Sequence, residues 1–162
     1  WETADAASAG ENLRWRLDAE AGWRVGSARL RLRSIAAGLS GGAVPAQDLV
    51  RLGGPISGPG YAFHRFAARR GLSQRVEWQT RIPFVPLNLG RFGRVPGTLV
   101  LAPYAHGVWV DGEASRAQGW YPAVGLGGIG LFDVVRLDVA RGLRAGTWTF
   151  SLDVTRALWP VL

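Results

Sequence analysis

The feature that most constrains this chain is a two-residue alternation of apolar and polar side chains, repeated along most of its length. In "NLRWRLDAEA", Leu13, Trp15, Leu17 and Ala19 share one face, while Arg14, Arg16, Asp18 and Glu20 share the other. "ARLRLRSI" sets Ala28, Leu30 and Leu32 against Arg29, Arg31 and Arg33. "QRVEWQTRIPF" sets Val76, Trp78, Thr80 and Ile82 against Arg75, Glu77, Gln79 and Arg81. "VVRLDVAR" opposes Val135, Leu137 and Val139 to Arg136 and Asp138. "TWTFSLDVTR" opposes Trp148, Phe150, Leu152 and Val154 to Thr149, Ser151, Asp153 and Thr155. A helix would repeat every 3.6 residues; period 2 belongs to strands with one apolar face. Two further segments complete a set of seven: "TLVLAPYAHGVWV" (98–110), apolar on both faces, and "WYPAVGLGGIGLF" (120–132), with small residues at alternate positions. The expected fold is all-β, an antiparallel meander with almost no helix.

These segments run to roughly nine to thirteen residues, whereas strands of globular proteins average about five or six and tilted membrane-spanning strands need about nine to eleven. Length therefore favours a transmembrane β-barrel, with Trp, Leu, Val and Phe toward lipid and charges and hydroxyls toward the lumen. A soluble barrel would turn the same apolar face inward, and alternation alone does not separate the two. Trp15, Trp23, Trp78, Trp109, Trp120, Trp148 and Trp159 fall largely near strand ends, where an interfacial aromatic girdle sits. Short turns are expected around Gly26, around Phe132 and Asp133, and at "RAGT"; longer connections cover 39–72 and 111–119, and 85–97 is intermediate. Long loops on one rim and short turns on the other are the outer-membrane arrangement.

The longest connection contains "RLGGPISGPGYAFHRF", Arg51 to Phe66. Its density of Gly and Pro suits neither a helix nor a central strand. Tyr61, Phe63 and Phe66 would be poorly placed in open water. Residues 51–66, within the long loop 39–72, are therefore expected to fold into the barrel interior. Tyr61 is expected near the polar faces of the strands carrying Glu77 and Arg136. Irregular backbone is tolerated at membrane depth where protein or a watery cavity surrounds it.

Composition narrows the function. With 162 residues, 48% hydrophobic and 19% charged, the chain is expected to form one ordered domain rather than a disordered segment. The absence of cysteine excludes disulfides and thiolate metal sites. All 19 basic residues are Arg and the net charge is +7, but the arginines are dispersed along polar strand faces, so no nucleic-acid partner is expected. No run of 18 apolar residues offers a transmembrane helix. His64 and His106 are the two histidines, and no G-x-S-x-G motif occurs. "GLGGIG" (125–130) mimics a dinucleotide fingerprint but lies in a strand pattern with no helix following. Its glycines are expected to permit bending, or the close approach of a lumen loop. No spacing offers three or four metal ligands. Asp133, Asp138 and Asp153 are read as charges that balance arginines. No catalytic residue, cofactor or metal is expected. The chain begins at Trp1 without a Met, as expected of a piece of a longer protein.

Read in order, "RLGG", "SGPGYAF", "VEWQTRIPF", "LAPYAHGVWV", "WYPAVGLGGIGLF", "VVRLDVARGLR" and "WTFSLDVTRALW" resemble the carboxy-terminal half of the bacterial surface antigen barrel. This is the BamA/TamA family of outer-membrane assembly factors, related to two-partner secretion transporters. The similarity covers about residues 45–159. It implies a barrel with twice as many strands. Residues 1–162 would then be a single barrel domain or, more specifically, half of a larger barrel. That half would hold about seven or eight strands, with "WETADAAS" ending the eighth and an unpaired strand edge at each end. The resemblance implies a lumen loop whose tip is Gly58-Pro59-Gly60-Tyr61, with Tyr61 and Phe63 as anchors. Glu77 and Arg81 match a family strand motif; with Arg136, Asp138 and Asp153 they form the lumen-facing polar set. Two positions depart from the pattern. The family's tip arginine, which meets carboxylates on the lumen wall, is Pro59 here, leaving Arg51, Arg65, Arg69 or Arg70 as substitutes. Many such barrels end on an aromatic, whereas here Trp159 precedes Pro160, Val161 and Leu162. The implied function is insertion or secretion of outer-membrane proteins in the bacterial cell outer membrane. The implied partners are outer-membrane lipid and nascent outer-membrane or secreted proteins. Two other readings stand beside it: a barrel that anchors, or forms a pore for, a fused enzyme such as a patatin-like lipase, and a soluble β-barrel that binds a small apolar ligand.

Overall fold

Antiparallel hairpins build the molecule. The computed structural model describes residues 13–42, 46–86, 88, 90–94, 97–111, 117–131 and 133–154. Its strands are β1 (Leu13–Val25), β2 (Ala28–Ser40), β3 (Val50–Leu52), β4 (Phe66–Ala68), β5 (Arg70–Pro83), β6 (Thr98–Val110), β7 (Gly119–Gly130), β8 (Val135–Gly142) and β9 (Trp148–Val154). Seven of them form one sheet in the order β1-β2-β5-β6-β7-β8-β9, every pair antiparallel, and β3 and β4 pair as a separate ribbon. The all-β meander read from the alternation is therefore present. The sheet is open: β1 and β9 are its two edges, and no closure joins them among the described residues.

The long connection departs from its expected outline. Strands β2 and β5 extend into it, so it spans 41–69 rather than 39–72. It also carries structure that its Gly-Pro content concealed: the β3–β4 ribbon and a single helical turn, α1 (Gly54–Ser57), with Pro55 in its first turn. Pro is tolerated there because the first N–H groups of a helix have no intrahelical partner. The expected eighth strand in "WETADAAS" and the girdle residue Trp159 lie outside the described residues.

Antiparallel pairing fixes which connections share a rim. The first rim holds 41–69, 111–118 and the short β8–β9 turn 143–147; the second holds the Gly26–Ser27 turn, 84–97 and 131–134. Each rim thus mixes lengths, although the longest connection and the β6–β7 loop do share one side. Gly26, at φ 61°, supplies the left-handed backbone that a two-residue hairpin demands.

The two faces of the sheet are unlike. One carries Leu13, Trp15, Leu17, Trp23, Val76, Trp78, Trp120, Val124, Leu126, Leu137, Trp148, Phe150, Leu152 and Val154, all exposed. The other carries the arginines and carboxylates, and the connection 46–69 lies on it. The main buried cluster forms between that connection and the sheet: Leu52, Tyr61, Phe66 and Ala68 meet Ala37 and Leu39 of β2, Val108 and Val110 of β6, and Ala123 of β7. This explains why β6 reads as apolar on both faces. Its outward residues match the rest of the apolar face, and its inward ones pack under the connection.

Candidate functional site: a charged wall and a docked loop

Strand β5 places Ser73, Arg75, Glu77 and Gln79 on the loop-bearing face, and β8 places Arg136 and Asp138 there. Two strands separate them, so on a flat sheet they would lie about 14 Å apart laterally. Curvature and a glycine floor close the gap. A Cβ at Gly127 of β7 would sit 2.7 Å from Arg136 Nη2 and 2.9 Å from Asp138 Oδ1. A Cβ at Gly125 would overlap the Tyr104 ring. These glycines were expected to accommodate bending or a loop; what occupies their space is side chains of the neighbouring strands.

Across that floor Arg136 reaches Glu77 with both terminal nitrogens, Nη1 to Oε1 at 3.0 Å and Nη2 to Oε2 at 2.6 Å. The same guanidinium donates to Asp138 from Nε at 2.5 Å and from Nη2 at 2.8 Å. Arg75 Nη2 lies 2.7 Å from Glu77 Oε2 and 2.9 Å from Asp138 Oδ1. Gln79 Nε2 donates to Glu77 Oε1 at 2.6 Å. The Arg75 guanidinium stacks 3.5 Å from the centroid of the Tyr104 ring, a cation–π contact. Glu77 is only 4% exposed. The group holds two positive and two negative charges and is neutral as a whole, which is what permits its burial.

The loop docks beside this group, mainly through backbone. Gly60 N–H donates to Thr149 Oγ1 at 2.8 Å, and Thr147 Oγ1 donates to Gly60 O at 2.6 Å. The backbone approach is so close that a Cβ on Gly60 would meet Gly142 N at 2.5 Å, and one on Gly142 would meet Gly60 O at 2.5 Å. Gly60 is also at φ 87°, a conformation only glycine adopts freely. Tyr61 is buried, donates its hydroxyl to Pro122 O at 2.7 Å, and packs edge-on against Phe66 and Tyr121. Burial raises the pKa of its hydroxyl. A cavity of about 170 Å³ remains between the tip and the sheet, lined in part by Pro59, Tyr61, Tyr104, Asp138 and Thr149.

Of the residues singled out from sequence, Glu77, Arg136 and Asp138 come together; Gly60 and Tyr61 touch β8 and β9, Pro59 lines the cavity beside them, and Gly58 packs back on Gly53 within the loop. Tyr61 meets the polar face of β8, the strand that carries Arg136, at Gly142. Arg81 stands apart on the second rim, exposed and 3.4 Å from Asp133. Asp153 is exposed at the edge strand. Phe63 is not an anchor: it is 72% exposed and stacks on His64, while Phe66 is fully buried in its place. Of the possible substitutes for the tip arginine, Arg69 donates to Gly41 O and Gly42 O, and Arg51, Arg65 and Arg70 are exposed. The carboxylates of the wall are instead matched by the wall's own Arg75 and Arg136. Sequence reasoning placed Arg75 on the polar face but left it out of the site, and it missed Tyr104 altogether. The two-residue spacing from Arg75 to Glu77 was the available signal for Arg75. His106 lies on the same face, buried, with Nε2 3.0 Å from Ser73 Oγ. No group of metal-ligating side chains occurs among the described residues. No protein-family model and no curated protein matches the chain.

Proposed function

We propose that this chain is membrane-embedded wall from an outer-membrane β-barrel of the BamA/TamA type, a barrel that inserts or secretes outer-membrane proteins. The observation that carries the proposal is the inverted facing. Ion pairs and a docked loop occupy the buried face, and Trp, Phe, Leu and Val occupy the exposed one. In water, a continuous apolar face of this kind is an association liability. In a bilayer it is what a barrel's outer wall requires. On β1, Trp15 and Trp23 lie eight residues apart. That is about 26 Å along a strand, or roughly 20 Å of height at the usual barrel tilt, close to the apolar band of about 25 Å. The two edges of the described sheet, β1 and β9, are where the remaining strands of a larger barrel would join. In the assembly reading they are also a template on which a client strand adds.

One observation favours the second reading, a barrel that anchors or forms a pore for a fused enzyme. With Pro59 at the tip, the loop meets the wall through hydroxyl and backbone groups and leaves the charged group already paired. Such a loop serves as a static plug. A single experiment separates the readings. The full-length protein is reconstituted in vesicles, its insertion is checked by heat-modifiable migration, and the folding rate of an unfolded client barrel is measured with and without it. Acceleration of client folding supports the assembly reading. Insertion without acceleration supports the anchor or pore reading. Failure to insert in any bilayer overturns both.

A further inference from the structure

On the apolar face of the seven-stranded sheet, the described strands carry only two charged residues, Arg70 and Arg141. Both are arginines and both are exposed. Both lie at the first rim: Arg70 is the first residue of β5, and Arg141 is the next-to-last of β8. Arg141 pairs with Trp148, and Arg70 lies in one row with Gly38 and, beyond it, Trp15. Across the sheet this rim presents Trp15, Arg70, Trp109, Trp120, Arg141 and Trp148, each within three residues of its strand's end. Only β2 lacks such a residue; Gly38 occupies the position, and the Trp15 ring covers it, leaving 2.6 Å for any Cβ. The Arg141 guanidinium lies 5.5 Å from the centroid of the Trp148 ring. Asp111 is opposite Arg70 just beyond β6, but its Oδ1 is buried rather than presented at the surface. At the second rim the same face ends in Val25, Ala28, Ile82, Leu99, Gly130, Val135 and Val154, with no charge.

We infer that the first rim is a binding surface for the phosphates of lipopolysaccharide in the outer leaflet. The inference rests on the barrel reading and adds a lipid partner and an orientation to it. Tryptophan rings sit at the headgroup level, and arginine beside them keeps its stem on apolar surface while its guanidinium forks onto phosphate oxygens. Among the strand residues of the apolar face, charge is confined to one rim, which matches a bilayer whose phosphate density differs between leaflets. The first rim also carries the longest connection, the side that faces outward in outer-membrane barrels.

The test uses the full-length protein that carries this chain, folded in detergent and shown to be folded by heat-modifiable migration. Binding of lipid A is measured by native mass spectrometry against lipid A stripped of its phosphates, with inorganic phosphate as competitor. Each interfacial arginine contributes about a fivefold change in affinity. R70Q or R141Q is expected to weaken binding about fivefold and R70Q/R141Q about thirtyfold. Lysine at both positions should retain most of it, and R24Q, on the opposite face, should leave it unchanged. Inorganic phosphate should not displace the lipid. Equal binding of phosphate-free lipid A, or a double glutamine variant that binds like the parent, would overturn the inference and leave the barrel reading standing. A protein that never gives the heat-modifiable form would overturn the barrel reading itself, and the inference with it.

Discussion

Glu77→Gln is the most informative single change in the charged wall. Glu77 accepts from Arg136 at 3.0 and 2.6 Å, pairs with Arg75 at 2.7 Å, and accepts from Gln79 at 2.6 Å. The amide keeps the shape and removes the charge. Arg75 and Arg136 then share Asp138 alone, and the buried group changes from neutral to a net positive charge. Removing one partner of a buried ion pair costs about 3–5 kcal/mol, and that is the loss expected here. Arg136→Gln should cost a similar amount by the same reasoning. The double variant keeps Arg75 and Asp138, 2.9 Å apart, and is neutral again. It should therefore be less destabilised than the sum of the single variants by about 2–3 kcal/mol, the upper part of the range for residues in contact. The assay is urea-driven unfolding in detergent micelles or vesicles, followed by tryptophan fluorescence, for all four proteins of the cycle. A single variant within about 0.5 kcal/mol of the parent, or strict additivity, would refute the claim that these charges form one neutral unit.

Three further outcomes follow from the geometry. Leu137→Arg puts a charge on the exposed apolar face and should lose about 2–4 kcal/mol of insertion, whereas Asp153→Asn, exposed on the opposite face of the neighbouring strand β9, should still insert; equal effects in a heat-modifiability assay would show that the facing is wrong. Gly142→Ala places a methyl carbon 2.5 Å from Gly60 O and 2.9 Å from the Tyr61 ring, so the loop tip should lift and limited proteolysis between Gly53 and Gly60 should accelerate; an unchanged cleavage rate contradicts the docking. Tyr61→Phe removes the hydrogen bond to Pro122 O and should cost about 1 kcal/mol. Because the buried hydroxyl has a raised pKa, its stabilising effect should be complete below about pH 10, the unfolded value, and disappear as pH rises through the higher folded value; a parent that keeps its full advantage over Tyr61→Phe above that folded value would show this to be wrong.

Strand existence and facing were legible because one face of β1, β5, β8 and β9, and of the first half of β2, is apolar and the other is not. Strand β6 hid its register because Ala102, Tyr104, Val108 and Val110 face inward and are as apolar as its outward side. The pairing of Glu77 with Arg136 was out of reach for a different reason. It spans two intervening strands, and it depends on curvature and on the bare backbone at Gly125 and Gly127, neither of which a local pattern encodes. Composition identified the Gly-Pro segment as unusual but not which aromatic it buries. Phe63 and Phe66 are three residues apart, and only the β3–β4 pairing turns Phe66 inward and leaves Phe63 out. The one-turn helix at Gly54 was concealed by the residues that surround it, since Gly and Pro argue against helix everywhere except at its first turn.

The central claim is that the apolar face meets lipid. The absence of cysteine makes single-cysteine labelling clean. Cysteines placed in turn at Trp148, Thr149, Phe150, Ser151, Leu152 and Asp153 report both faces of β9 in the vesicle-inserted protein. The account predicts that Trp148→Cys, Phe150→Cys and Leu152→Cys resist a water-soluble maleimide and, once labelled with a fluorophore, are quenched by nitroxide lipids. Thr149→Cys, Ser151→Cys and Asp153→Cys should react with the maleimide and escape the quenching. The reverse pattern, or no alternation at all, would contradict it.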